Sequence, residues 1–219
     1  LYEFPIGKIF QCKKCGLGIF DGELPLYEGA NVIENRIFEK IKNIILAYEF
    51  NFLKHQKKMK ILEVGSGSGT LANFLHKIGH EVECCDIDEH NLHRIKQKYG
   101  FKTILGKFES PHFQKGRYDA IVMRHVFEHF ENPLLAVKNA YSTLKPGGRL
   151  ILTLPNFNSW SRKISGYKWN WTIPYHRFFW SNETLTKLLE QNGYRVVKSR
   201  TLFSHMGLPF ILTKLVNPT

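Results

Sequence analysis

Residues 61–69 read Ile-Leu-Glu-Val-Gly-Ser-Gly-Ser-Gly, and the order of these types carries chemistry. Four residues of buried-strand character run into a turn with glycine at every second position. An apolar stripe at helical spacing follows in Leu71, Phe74, Leu75 and Ile78. A strand, a glycine turn and a helix in that order bring bare backbone close to a nucleotide-like ligand, because glycine removes the Cβ atoms that would block the approach. Glu63 stands two residues before Gly65. A carboxylate there would repel a pyrophosphate and suits a ligand that carries positive charge. A second acid, Asp86, closes the strand-like run Glu81-Val-Glu-Cys-Cys-Asp86, 21 residues after Gly65.

These groups need a frame, and the periodicities supply one. Strand signals fall near 60–64, 81–86, 102–105, 118–123 and 148–154, and helical stripes near 70–78, 89–99, 133–143 and 182–192. The alternation implies a parallel sheet with helices on both faces. Ile33, Ile37, Ile41, Ile44, Ile45 and Tyr48 recur at helical spacing within 31–58, which reads as a helix packed on the core. Residues 1–30 are rich in glycine and proline and read as turns. Residues 155–180 differ in kind. They hold Trp160, Trp169, Trp171 and Trp180 with Tyr167, Tyr175, Phe178, Phe179 and several basic residues. They follow the carboxyl end of a strand, on the edge where open α/β sheets bind ligands. They form either a lid over a substrate pocket or a covering loop that packs on its own aromatics. A further strand fits 194–202, and no internal repeat is present.

The order of these motifs resembles the class I S-adenosylmethionine-dependent methyltransferases. Glu63-Val-Gly-Ser-Gly-Ser-Gly69 is similar to that family's first motif, an acid, one residue, then G-x-G-x-G. Asp86 stands at the end of the second strand, Tyr118-Asp-Ala-Ile-Val-Met123 looks like the fourth, and Leu144-Lys-Pro-Gly-Gly148 with Arg149–Leu154 looks like the turn and fifth strand. The resemblance covers roughly residues 59 to 200. It implies an α/β fold, a Rossmann-like seven-stranded, mostly parallel sheet with helices on both faces. Phe210-Ile-Leu-Thr-Lys-Leu215 is then the last, antiparallel strand. The organisation becomes a turn-rich segment with half a zinc ribbon (1–30), an N-terminal helix (31–58), an S-adenosylmethionine-binding core (59–155), an aromatic lid or substrate segment (156–180), and a C-terminal helix and strands that complete the sheet (181–219).

The resemblance also implies a site. Gly65, Gly67 and Gly69 take the positions that approach the methionine part of the cofactor, and Glu63 that of the acid which helps hold its ammonium side. Asp86 takes the place of the acid that accepts from both ribose hydroxyls, a task suited to an acceptor-only group. Its alternative is to cap the following helix, unless Asp88 does so. Ile87, Phe108, Met123 and Arg124 complete the cofactor-binding set. One departure is Gly106-Lys107-Phe108-Glu109, where the family often has Gly-Asp against the adenine amino group. Backbone groups and Phe108 are left for that contact. Met123-Arg-His-Val-Phe-Glu-His129 resembles the H-V-x-E-H stretch of one large branch, which puts His125 near the transferable methyl and Glu128 and His129 at the start of the next helical region. Pro174-Tyr-His-Arg-Phe-Phe-Trp180 resembles a P-x-H-x-x-x-F stretch that carries His176 over the pocket, with Ser181 as the next N-cap. His125, His176 and His129 are the catalytic candidates, because an oxygen nucleophile benefits from a base and imidazole suits pH 7. His125-x-x-Glu128-His129 differs by one ligand type from the E-x-x-E-H that some quinone-precursor O-methyltransferases use for a divalent metal. No metal is assigned to the expected site.

At 219 residues and 43% apolar composition, the chain fits one globular domain with a small appendage. No run of about 18 apolar residues offers a membrane span. The chain opens on Leu1 rather than Met, as a fragment lacking its N-terminus would. The net charge of +12 reads either as a solvated basic surface or as attraction to an anionic partner. Cys84 and Cys85 read as core residues pointing to opposite faces of a strand. Cys12-Lys-Lys-Cys15-Gly-Leu is half of a zinc-ribbon pattern, similar to the second half of a module that some relatives carry. Residues 1–11 hold no Cys or His, so zinc at Cys12 and Cys15 is expected only in a longer parent chain. Two reduced pairs fit a cytoplasmic protein.

The expected activity is in-line methyl transfer from S-adenosylmethionine, leaving S-adenosylhomocysteine, to an oxygen of a small molecule such as a sugar, a lipid precursor or a secondary metabolite. Oligomeric state stays open. A nucleic-acid methyltransferase or binding protein is the alternative that the charge favours. The chain lacks the [DN]-P-P-[FY] loop and the Pro-Cys nucleophile of base-modifying enzymes. A nicotinamide-dependent oxidoreductase would use Gly67-Ser-Gly-Thr-Leu-Ala72 in a shifted register, leaving Glu63 and the Lys145-Pro-Gly-Gly148 turn unexplained. An inactive binding module would show a broken glycine turn or a missing Asp86, and both are intact.

Overall fold

In a computed structural model, residues 2–4, 7–24, 36–110, 113–173, 175–203 and 209–218 are described. Three short strands come first: β1 (Tyr2–Phe4), β2 (Gly7–Gln11) and β3 (Gly18–Gly22). Then follow α1 (Arg36–Phe50), β4 (Lys60–Val64), α2 (Thr70–Lys77), β5 (Glu81–Asp86), α3 (Glu89–Tyr99), β6 (Lys102–Leu105), β7 (Tyr118–Arg124), α4 (Pro133–Thr143) and β8 (Leu144–Pro155). The chain ends with α5 (Trp160–Ser165), β9 (Phe178–Phe179), α6 (Asn182–Glu190), β10 (Tyr194–Phe203) and β11 (Pro209–Pro218).

The main sheet has seven strands in the order β10-β11-β8-β7-β4-β5-β6. The five from β8 to β6 run parallel, and β11 pairs antiparallel with both β8 and β10. The strand order reverses between β4 and β7, where a crevice opens at the carboxyl ends of an α/β sheet. Alternation along each strand divides the core in two. Leu62, Cys85, Met123 and Leu152 face one layer with Ala136 and Val137 of α4 and Leu185 of α6. Ile61, Cys84, Val122 and Ile151 face the other with Leu46 of α1, Leu71 of α2 and Ile95 of α3. The two adjacent cysteines therefore do point to opposite faces.

Helix starts follow from their caps. Asp88 accepts from the N–H groups of His90 and Asn91 and so caps α3, and Gly100 ends it in the left-handed conformation. Asn132 caps α4 ahead of Pro133, and Ser181 with Thr184 forms a reciprocal capping pair on α6.

The N-terminal segment differs from its turn-rich reading. Residues 7–22 form a β-hairpin with Cys12 and Cys15 exposed near its tip. The hairpin joins β1 and, through Gly18↔Phe179 and Ile19↔Phe178, β9 in a second, four-stranded antiparallel sheet. Its small core is Ile9, Phe157, Trp169 and Phe179, so the hairpin and the aromatic segment form one body. Gly18 is required by close packing, since a Cβ there would sit 2.9 Å from that of Phe179. Residues 25–35, which include part of the expected N-terminal helix, lie outside the described residues.

One buried ion cluster braces the sheet at the end away from the crevice. Glu83 on β5 is 1% exposed and accepts from the Arg117 guanidinium at 2.7 and 2.8 Å and from the Tyr118 hydroxyl at 2.6 Å, with Lys60 Nζ 3.1 Å away. Burial alone would raise its carboxyl, but the Arg117, Tyr118 and Lys60 contacts outweigh it and hold the group at about 2. Its contribution is present above about 4.5 and is lost as pH falls toward 2. Removing it leaves Arg117 and Tyr118 without their partner. Glu83→Ala is expected to cost about 3 kcal/mol and to lower Tm by about 6–12 °C at pH 7 in thermal unfolding. The difference from wild type should shrink toward pH 2.

Candidate functional site

The crevice holds a cavity of about 670 Å³ at the carboxyl ends of β4, β5 and β7. Gly65, Gly67, Asp86, Ile87, Phe108 and His125 line one part, and Ile173, Tyr175 and Arg177 of the aromatic segment close it from the other. That segment thus supplies cavity wall as well as packing on its own rings.

The glycine turn is built from its hydrogen bonds. Gly65 and Ser66 both donate N–H to Cys85 O, at 2.8 and 3.2 Å, and Gly69 donates to Ser66 O at 2.8 Å. The Gly67 N–H donates to Asp86 Oδ2 at 2.8 Å, while Asp86 Oδ1 accepts from Asp88 N–H at 2.9 Å. Both Asp86 oxygens keep a second lone pair. Asp88 caps the helix, which leaves Asp86 for the cavity. At Gly65, φ is +70° and a Cβ would meet Val126 Cγ2 at 2.6 Å, whereas a Cβ on Gly67 would find nothing within 4 Å. The turn is tight at Gly65 against the protein and open at Gly67 toward the cavity.

Glu63 stands behind this turn, 4% exposed and not on the cavity wall. Its Oε2 is buried with no hydrogen-bond partner. Burial pushes the carboxyl up to about 8, against the opposing Ala72 N–H and Arg124 charge. A cation near it would relieve that cost.

The structure does not bring every expected residue to the cavity. Gly69 caps α2 and packs on Ile95. Met123 is fully buried in the core. Arg124 turns to α1, with Nε donating to Glu49 Oε2 at 2.7 Å. Phe108 lines the wall but is 2% exposed, with its ring tilted against that of Phe113 at 4.7 Å.

The histidines converge on one buried acid, Glu128, which the sequence places at the start of the next helical region and in the metal alternative but not among the catalytic candidates. Glu128 is 1% exposed, and neither side-chain oxygen has a hydrogen-bond partner. His125 Nδ1 and His176 Nε2 each lie 3.7 Å from its Oε1, too far for hydrogen bonds. Burial penalises its charge, but His125, His176 and His129 outweigh that and hold the carboxyl at about 2. His176 is itself pushed down to about 4, by burial first and by the neighbouring histidines, with Glu128 opposing. It is neutral at pH 7. His125 has φ +53°, the positive value among the described non-glycine residues, and its ring stacks on Trp171 at 5.1 Å. Strained backbone of this kind persists where the surroundings enforce it. His129 lines the cavity and uses Nδ1 to meet Tyr175 O at 2.8 Å. His176 is 2% exposed and not on the cavity wall, with its ring parallel to that of Trp171 at 6.2 Å. Glu128, His129 and His176 offer ligand atoms within 4.8 Å of one another, so the trio that a cation would meet includes His176 rather than His125. Trp171 was legible only as one aromatic among several.

A family profile described as methyltransferase domain matches residues 35–199. The mitochondrial ubiquinone biosynthesis O-methyltransferase of Rattus norvegicus is 30% identical over 155 residues, 63% of this chain and 45% of that protein. The chain thus spans about half the length of that relative. An uncharacterized protein of Methanocaldococcus jannaschii is 29% identical over 74% of this chain and 78% of its own length. Among solved structures, a SAM-dependent methyltransferase from Archaeoglobus fulgidus superposes with a TM-score of 0.67 at 18% identity, covering 82% of this chain and 94% of that one. At that identity the likeness shows the fold.

Because its folded carboxyl sits near 8 and an unfolded one near 4.5, Glu63 makes the ligand-free fold less stable as pH rises across that window. The folded chain holds a proton that the unfolded chain releases. Glu63→Gln removes this slope, so its Tm should gain on wild type between pH 5 and pH 8. A constant difference across that range would contradict the assignment.

Proposed function

The chain belongs to the methyltransferase-domain family, and on that premise we propose that it is an S-adenosylmethionine-dependent methyltransferase acting on an oxygen of a small molecule. A lipid precursor, sugar or secondary metabolite fits a cavity wall that mixes aromatic, basic and acidic side chains. The ubiquinone O-methyltransferase relatives support oxygen as the acceptor atom.

The observation that carries the reading is the buried, unpartnered Glu63 oxygen behind a glycine turn whose open position, Gly67, faces the cavity beside Asp86. This donor set fits a ligand with a cationic end and vicinal hydroxyls. Glu63 would serve the ammonium group through ordered solvent, since it stands behind the wall. Gly65 and Gly67 would admit the methionine part, Asp86 would accept from the ribose hydroxyls, and Ile87 and Phe108 would flank the adenine. Met123 and Arg124 would support the turn from behind. When bound, S-adenosylmethionine supplies a methyl group on a sulfonium that loses its charge as the acceptor attacks in line.

The protein's own task is then alignment and exclusion of water, which supplies roughly 7–11 kcal/mol in favourable cases. Ile173, Tyr175 and Arg177 cover the cavity and orient the acceptor. His125, on the wall with its ring held by Trp171, takes the acceptor's proton. Glu128, 3.7 Å from His125 Nδ1, balances the charge that His125 gains. His176, neutral at pH 7, and His129 stand against the same carboxylate.

A second reading of the cluster is a divalent-cation site at Glu128, His129 and His176, favoured by the unpartnered Glu128 oxygens. Activity lost to a chelator and restored by a metal would select it over proton transfer to His125.

Calorimetric titration with S-adenosylhomocysteine tests the cofactor assignment. Micromolar binding is expected, weakened about 100-fold or more by Asp86→Ala. Binding should release a proton from Glu63 near pH 7, so the apparent enthalpy should vary with buffer ionisation in wild type and not in Glu63→Gln. A folded chain that does not bind would overturn the reading.

A further inference from the structure

Beyond the cavity, one surface carries side chains that methyl transfer does not use. In α5, Trp160 is 78% and Ile164 83% exposed. They stand four residues apart, so they share one face of the helix. The helix is not loose. Ser159 caps it through the Arg162 N–H, Ser161 receives the Trp169 indole N–H at 3.2 Å, and Arg162 lies 4.1 Å over the Phe157 ring. The protein therefore holds two large apolar side chains out into solvent from a fixed base.

The stretch of chain that carries them is basic. From Asn132 to Asn182 the chain has no Asp or Glu and seven Lys or Arg. Lys163 sits within α5, with its ammonium 5.4 Å over the Trp160 ring, and Lys168 is exposed just beyond. Glu183 at the start of α6 is the acid whose charge couples to Lys163.

We propose that α5 docks the protein on an anionic lipid surface, with Trp160 and Ile164 entering the headgroup boundary and Lys163 and Lys168 meeting lipid phosphates. An indole prefers that boundary because one end is apolar and the other polar, and lysine extends its ammonium past an apolar stem. Nucleic acid explains less, because an exposed isoleucine gains nothing from base stacking or phosphate contact. A second copy explains less, because two side chains on a six-residue helix cover little of the roughly 1,200 Å² or more that a stable dimer buries. The same segment runs on to Ile173, Tyr175 and Arg177 on the cavity wall.

Co-sedimentation with phosphatidylcholine vesicles, with and without roughly one-third phosphatidylglycerol, tests this without turnover. Binding is expected on the anionic vesicles only, with a blue shift of tryptophan emission and weakening by salt. Trp160→Ser with Ile164→Ser should raise the lipid concentration for half-binding about tenfold or more, as should Lys163→Glu. All three positions are exposed, and an unchanged Tm confirms that the variants fold. Absence of binding to anionic vesicles overturns the proposal. So does binding that the variants leave unchanged, or capture of single-stranded RNA or self-association through Trp160 in place of lipid. None of these results bears on cofactor binding, which calorimetry reads separately.

Discussion

The bond from the Gly67 N–H to the Asp86 carboxylate is the contact on which the site depends. It ties the turn after β4, one of the two strands at the point where the sheet order reverses, to the end of its neighbour β5. With Gly65 and Ser66 both donating to Cys85 O, the turn is fixed from the β5 side at three places. A charged acceptor makes such a bond shorter and stronger than a neutral pair would. The turn is thereby shaped before any ligand arrives, so little ordering remains to oppose binding. Asp86 can do this because Asp88 takes over the cap of α3.

The second constraint is the union of the N-terminal hairpin with the aromatic segment. β9 is two residues long and would not persist alone. Its pairing with β3 and the shared core of Ile9, Phe157, Trp169 and Phe179 hold the segment in place. That placement brings Trp171 onto His125 and Tyr175 onto His129. The hairpin thus acts on the cavity through the segment it supports, and α5 extends from the same base.

Much of this was legible in the sequence because the main sheet obeys simple periods. The strand from Lys60 to Val64 has the bounds that its continuous buried-strand run suggests, and the helix from Glu89 to Tyr99 those of its apolar stripe behind Asp88. The carboxylate–glycine spacing located the turn. The second sheet was not legible, because Ile9 is the buried residue of β2, and β9, the strand that pairs with β3, lies some 160 residues further along the chain. No local period records such a pairing. The Glu128–His176 contact was hidden for the same reason, being set by how the aromatic segment folds back. Met123 and Arg124 sit where the motif places them along the chain, but strand alternation turns Met123 into the core and Glu49 holds Arg124.

The central claim is that the glycine turn and Asp86 form the seat of a nucleoside-bearing ligand. Backbone amide NMR of the chain with added S-adenosylhomocysteine tests it most directly. Shifts concentrated at Gly65, Gly67, Asp86, Ile87 and Gly106–Phe108 are the predicted result. A folded chain whose amides do not move there, or move only along α6, would contradict it.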